Sequence, residues 1–169
     1  SALVYVGSAP AIVLDHWQLA ETQFAALFVP IVAGFICGAA LSGRLAGRWQ
    51  PARQVLTGFA VTATAASCGI ALQWLQLAPP RLAEQCAIAA ISFGVQLAFP
   101  PITLRMLDLF PDTRGSVASV QSFVGLLIGA TTIGVIAPLL QGSLLALSAA
   151  SLVASLTAAA LWGISTRRG

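Results

Sequence analysis

Charge is what this sequence has least of. Only 8% of its 169 residues are Asp, Glu, Lys or Arg, where soluble domains carry about a quarter. That excludes an ordinary soluble domain. Lysine is absent: all eight basic residues are arginines scattered between apolar runs. The net charge of +3 is therefore not a footprint for nucleic acid. Histidine occurs once, as His16 beside Asp15 and Trp17, and a lone histidine makes no site. Three cysteines, Cys37, Cys68 and Cys86, lie in or beside apolar runs without metal-ligand spacing. They are expected to be small buried hydrophobes. No acid–histidine–nucleophile set and no phosphate loop is present. The chain is not expected to be an enzyme or to hold a cofactor.

What is there is apolar length. Hydrophobic residues make up 58% of the chain, and the mean hydropathy is +0.91. From Gly115 to Thr166 there are 52 residues without a charge, about 78 Å of helix at 1.5 Å per residue. A bilayer core is only about 30 Å thick. The run must therefore fold back, and Pro138 followed by Gln141, Gly142 and Ser143 marks the turning point. The rest of the chain repeats this pattern. Spans are expected at about 24–43, 55–77, 82–107, 116–139 and 144–165, preceded by a partial span at 2–14. The partial span gives about 20 Å of helix, too short to cross. The chain is expected to begin inside a helix of something longer. Ala78-Pro79-Pro80 closes the third span, and Pro100-Pro101 is expected to bend the fourth.

Arginine placement sets the orientation. With the turn Asp15–Gln23 outside, the inside holds Arg44, Arg48, Arg53, Arg105, Arg114, Arg167 and Arg168, and the outside only Arg81. Asp15, Glu21 and Glu84 then fall in outer turns. Trp17, Trp49, Trp74 and Trp162 lie near span ends, where amphipathic rings favour the headgroup region. Gly34 with Gly38, and Gly125 with Gly129, form G-x-x-x-G steps, expected to be packing surfaces.

No charged side chain falls near the middle of a span, although intramembrane ionisable groups usually mark proton or ion sites. Long polar side chains are nearly as sparse. Gln54, Gln73, Gln76, Gln85 and Gln141 sit at span ends; only Gln96 and Gln121 lie well inside. A carboxamide there either meets a substrate, donating and accepting, or joins two helices at roughly 0.6 kcal/mol per bond. Ser92 shares a face with Gln96, and Tyr5 offers a ring and a hydroxyl. Arg105 and Asp108, three residues apart, are expected to form a surface pair worth little. Hydroxyls such as Thr62, Thr64, Ser151 and Ser155 can bond back to their own helix.

Six spans with a basic turn after the second resemble one half of a twelve-helix transporter of the major facilitator superfamily. Tyr5–Trp49, with its Ser-x-Pro, looks like the seventh and eighth helices of the bicyclomycin and chloramphenicol resistance type of drug–proton antiporter. Phe110–Leu140 resembles the turn and eleventh helix of the same group. The superfamily's Gly-x-Leu-Ala-Asp-Arg-x-Gly-Arg turn corresponds here to Gly43–Pro51. Arg48 keeps its place, but Gly47 stands for the acid and Gln50 for a glycine, as suits a C-terminal half.

The resemblance implies an all-α membrane protein, a six-helix half whose first helix is truncated. In that scaffold the first, second, fourth and fifth helices of a half line the substrate cavity. That puts Tyr5, Ser92, Gln96 and Gln121 on it. The function implied is proton-coupled multidrug efflux by alternating access in a bacterial inner membrane, with the C-terminus cytoplasmic. Its partners would be a small amphipathic drug-like substrate, protons, the lipid bilayer and the missing N-terminal half, which would carry the proton-binding carboxylate. A sugar or metabolite exporter on the same scaffold is the alternative within transport. A six-span scaffold protein that transports nothing is the alternative outside it.

Overall fold

The computed structural model describes residues 2–8, 25–75, 80–140 and 142–167. They form a short helix α1 (Ala2–Gly7), then α2 (Ala25–Leu45), α3 (Pro51–Leu75) and α4 (Pro80–Asp108). A 3-10 turn, Pro111–Thr113, leads into α5 (Arg114–Thr131). A π turn, Thr132–Ile136, carries α5 into α6 (Ala137–Leu140), and α7 (Leu144–Arg167) follows. Among the described residues there is no strand.

Among the described residues five stretches are long and apolar enough to cross a membrane: Phe28–Leu45, Pro51–Leu75, Leu82–Asp108, Pro111–Leu140 and Ala146–Ile164. The chain thus has the make-up of a multi-pass membrane protein. Five full spans were expected, with a partial sixth at 2–14 too short to cross. Of the partial first span only Ala2–Gly7 is described, and the turn Asp15–Gln23 lies outside the described residues.

Helix limits depart from expectation where proline and glycine act. α3 starts at Pro51 and α4 at Pro80, because a proline in the first turn loses a donor that has no intrahelical partner anyway. Gly47 has φ +76°, a left-handed conformation that suits a residue without Cβ and stops α2. Glycine at the expected acid position therefore has a backbone reason. The turn expected at Pro138, Gln141, Gly142 and Ser143 comes at Gly142 and Ser143, and Pro138 itself lies inside α6. Its ring would crowd the carbonyl one turn back. The π turn before it widens the helix there, with the Ala137 N–H donating to the Thr132 carbonyl.

α4 is the centre of the bundle. It packs along both α2 and α3, and α7 lies on α3. The α2–α4 crossing is set by Gly34 and Gly38. A Cβ on Gly34 would run into the Ala89 carbonyl oxygen, and one on Gly38 would stand 2.5 Å from the Phe93 carbonyl oxygen. Gly58 makes the same approach on α3, where a Cβ would stand 2.6 Å from the Gly94 carbonyl oxygen. Ile31, Ala66, Ile88, Ile91 and Leu147 fill the core between these contacts. Small residues where backbones meet are how helices gain packing energy in lipid.

The second glycine step behaves otherwise. A Cβ on Gly125 would meet nothing within 4 Å, and one on Gly129 only the tip of Leu3 at 3.5 Å. α5 lies on the least covered span: of Pro111–Leu140 only Gly129, Thr132 and Ala137 are buried, all at or beside the π turn. Its main contact is at the π turn, where α1 closes in. A Cβ on Gly7 would stand 2.8 Å from that of Ala137, and the Ser8 hydroxyl donates to the Ala137 carbonyl at 3.5 Å.

The cysteines correct their expectation. Cys37, Cys68 and Cys86 are all free and exposed on the outer sides of α2, α3 and α4. A thiol is apolar enough to face lipid, so burial inside the bundle is not required. Thr62, Thr64 and Ser155 do bond the carbonyls four residues back, at 2.9, 2.8 and 2.7 Å.

Candidate functional site

Two regions of this bundle offer polar groups in an apolar setting. The first is the pair of faces on α4 and α5 that carries the expected substrate residues. Ser92 is fully buried at the α2–α4 crossing. A Cβ on Gly34 would stand 2.9 Å from its own, and its hydroxyl has no hydrogen-bond partner among the described residues. Gln96, one turn on, is half-buried beside Gly38. Gln121 of α5 donates from Nε2 to the Thr103 hydroxyl of α4 at 2.8 Å, so its amide joins two helices. It also lines a cavity of about 440 Å³ between the end of α4 and α5, with Met106, Phe110, Val117 and Val120. Thr103 follows Gln96 by seven residues, two turns along one stripe of α4. Ser92, Gln96 and the partner of Gln121 thus share one side of the central helix. Tyr5 belongs to α1 by its backbone, and its side chain lies outside the described residues.

The second region was not foreseen. Gln54, expected at a span end, is 4% exposed. Its Nε2 donates to the Ser42 hydroxyl at 2.6 Å and to the Leu97 carbonyl at 3.2 Å. The second bond answers a specific deficit. Pro101 has no N–H, so the carbonyl four residues earlier, that of Leu97, loses its helical donor. One carboxamide on α3 thereby ties α2 to α4 and lets α4 run through Pro100-Pro101 to Asp108. The signal was present in the sequence: a proline pair inside a span announces two carbonyls in need of donors from elsewhere.

Beyond this tie α2 and α4 part. A Cβ on Gly43 would meet nothing within 4 Å, in contrast to Gly38. The wedge between them is a cavity of about 890 Å³, walled by Ala39, Gly43 and Ala46 on one side and Pro101, Leu104 and Arg105 on the other, with Gln54 at its floor.

Charges gather at this end. Arg44, Arg48, Arg53, Arg105 and Arg114 lie at the joined ends of α2, α3, α4 and α5, and Arg81 starts α4 at the opposite end. The expected Arg105–Asp108 pair does not form. Asp108 meets Arg114 at 3.2 Å, both of them well exposed. Arg105 stacks on the Trp162 ring of α7, 5.0 Å from its centre, and Arg53 lies 5.2 Å from that of Trp49. Each stack holds a guanidinium over an aromatic face.

Glu84, assigned to an outer turn, lies inside α4 and is only 1% exposed. Among the described residues no group of three or more His, Cys, Asp or Glu could hold a metal ion. No model of a protein family matches the chain, and neither a curated protein nor a solved structure does.

Proposed function

We propose that this chain is the C-terminal half of a proton-coupled drug exporter of the major facilitator type, working by alternating access in a bacterial inner membrane. The observation that carries the reading is the bareness of α5. A span whose buried residues are only Gly129, Thr132 and Ala137 exposes Val120, Phe123, Val124, Leu126, Leu127 and Ile128 together. α5 also bears Gln121, which bonds Thr103 of α4. A second helical bundle facing this side would enclose an apolar chamber with few polar groups. Such a chamber suits amphipathic compounds of loosely specified shape. The two bundles then rock about the chamber, opening it to one side and then to the other.

In this reading the arginine-rich end faces the cytoplasm, following the positive-inside bias. The C-terminus lies on that side. Protons bind chiefly in the other half, since the middles of the spans described here carry no acid. The test is accumulation of a fluorescent cationic dye in cells making the complete two-half protein. Dye content should fall, and a protonophore should restore it. A dye content unaffected by the protein under every gradient would remove efflux from consideration.

A further inference from the structure

The wedge between α2 and α4 opens at the arginine-rich end, one turn beyond Gln96, and the proposed transport chamber gives it no role. Its walls and rim specify a ligand. The sides are apolar: Ala39 and Gly43 face Pro101 and Leu104 across a volume of about 890 Å³. That falls within the range of about 300–1,000 Å³ found for ligand sites. The mouth is cationic. Arg105 lines it, and Arg44, Arg48 and Arg53 stand at the same end of the bundle. The lining acid, Asp108, is already matched by Arg114 at 3.2 Å.

Arg105 is also held in a useful attitude. Its guanidinium carbon stands over the Trp162 ring, 5.0 Å from the centre. A cation held over a ring face keeps N–H groups that can bind a pair of phosphate oxygens. An apolar slot leading to an anion-binding arginine fits a molecule with hydrocarbon at one end and phosphate at the other.

We infer that this wedge is a binding site for an acidic phospholipid of the leaflet that bathes the arginine-rich end. The phosphate sits on Arg105, and an acyl chain lies between α2 and α4 over the Gln54 tie. Basic pockets between helices at the cytoplasmic side are where acidic headgroups bind. The assignment of that leaflet rests on the orientation proposed above; the lipid site itself does not require the protein to export drugs.

The experiment uses the complete protein in phosphatidylcholine nanodiscs doped with phosphatidylglycerol that carries a photoreactive group in one acyl chain. Labelling is mapped by mass spectrometry of peptides. The label should fall on residues 39–46 or 101–109 and be displaced by unlabelled phosphatidylglycerol, but not by phosphatidylcholine or inorganic phosphate. Arg105→Gln should lower labelling about five- to tenfold, the weight of one charge-assisted contact. Arg105→Lys, which keeps the charge but loses the pair of guanidinium donors, should lower it less than Arg105→Gln does, and Arg81→Gln, at the opposite end of α4, should not change it. Gly43→Leu, which has open space for its side chain, should reduce labelling by filling the slot while the protein stays folded. Equal labelling of Arg105→Gln and the unaltered protein would overturn the site. So would competition by phosphatidylcholine or by inorganic phosphate. Absence of label from both segments would overturn it too. Because the readout is labelling, a negative result leaves the dye-efflux test of the proposed function untouched.

Discussion

Gln54 and Leu97 meet across two helices, the Nε2 of one donating to the carbonyl of the other at 3.2 Å. The bond exists because Pro101 cannot supply the donor that a helix would otherwise provide. A proline that would break α4 in isolation is thus carried by a neighbour.

The tie can be weighed by a double-mutant cycle. Gln54→Leu removes the donor of both the Leu97 and the Ser42 bonds. It should cost about 1–2 kcal/mol, since single interhelical bonds in membranes average about 0.6 kcal/mol with a maximum near 1.7. Pro101→Ala restores a helical N–H to the Leu97 carbonyl. In that background the cost of Gln54→Leu should fall by roughly half, measured by reversible unfolding in mixed detergent. An unchanged cost would show that the carbonyl does not depend on Gln54.

Glycines at crossings and glycines on α5 should answer oppositely to one added methyl group. Gly58→Ala sets a Cβ 2.6 Å from the Gly94 carbonyl oxygen and should cost about 1–3 kcal/mol, the range for overpacking. Gly125→Ala meets nothing within 4 Å and should be neutral or stabilise by up to about 1 kcal/mol, as expected where glycine weakens a helix. Thermal denaturation in detergent separates the two. Equal effects would contradict the packing described.

Gln121 tests what a polar residue inside a span is for. If the Thr103 bond is its main role, Thr103→Val and Gln121→Ala should cost similar stability, about 0.6 kcal/mol each. The transport reading adds a second expectation. Gln96→Ala and Gln121→Ala should change which compounds the complete protein exports, while Thr103→Val and Thr62→Val should not. A drug panel read by growth inhibition distinguishes them, and identical profiles for all four variants would leave only packing.

The orientation is open to impermeant thiol reagents. Cysteine at Ser143 should be labelled from outside intact cells, and cysteine at Trp49 only after the inner face is exposed. Both belong in a background without Cys37, Cys68 and Cys86, which are exposed and would report themselves. Labelling in the reverse order would invert the topology and move the arginine-rich end outward.

The spans were legible because 52 residues without charge cannot be anything but a folded-back hydrophobic pair. Gly34 and Gly38 were legible as a crossing, since their spacing puts both on one face. Gly125 and Gly129 have the same spacing and no crossing, because a motif cannot say whether a partner helix is near. Gln54 does lie at a span end, in the first turn of α3, and its burial was not legible for a related reason. Only the approach of α4 with its proline pair makes it buried. Arg105 and Asp108 have the spacing of a pair, yet Trp162 from α7 and Arg114 from the next turn compete for them. Distant chain segments decide such contests, and local sequence carries no record of them.

The central claim is that this bundle works only as one wall of a proton-driven pathway. The most direct measurement is drug-dependent proton movement in proteoliposomes carrying an internal pH-sensitive dye. With the complete two-half protein, adding a substrate drug to a preformed pH gradient should speed its collapse, and with this chain alone it should not. A drug-dependent collapse produced by this chain alone, or none with the complete protein across a broad drug panel, would contradict the account.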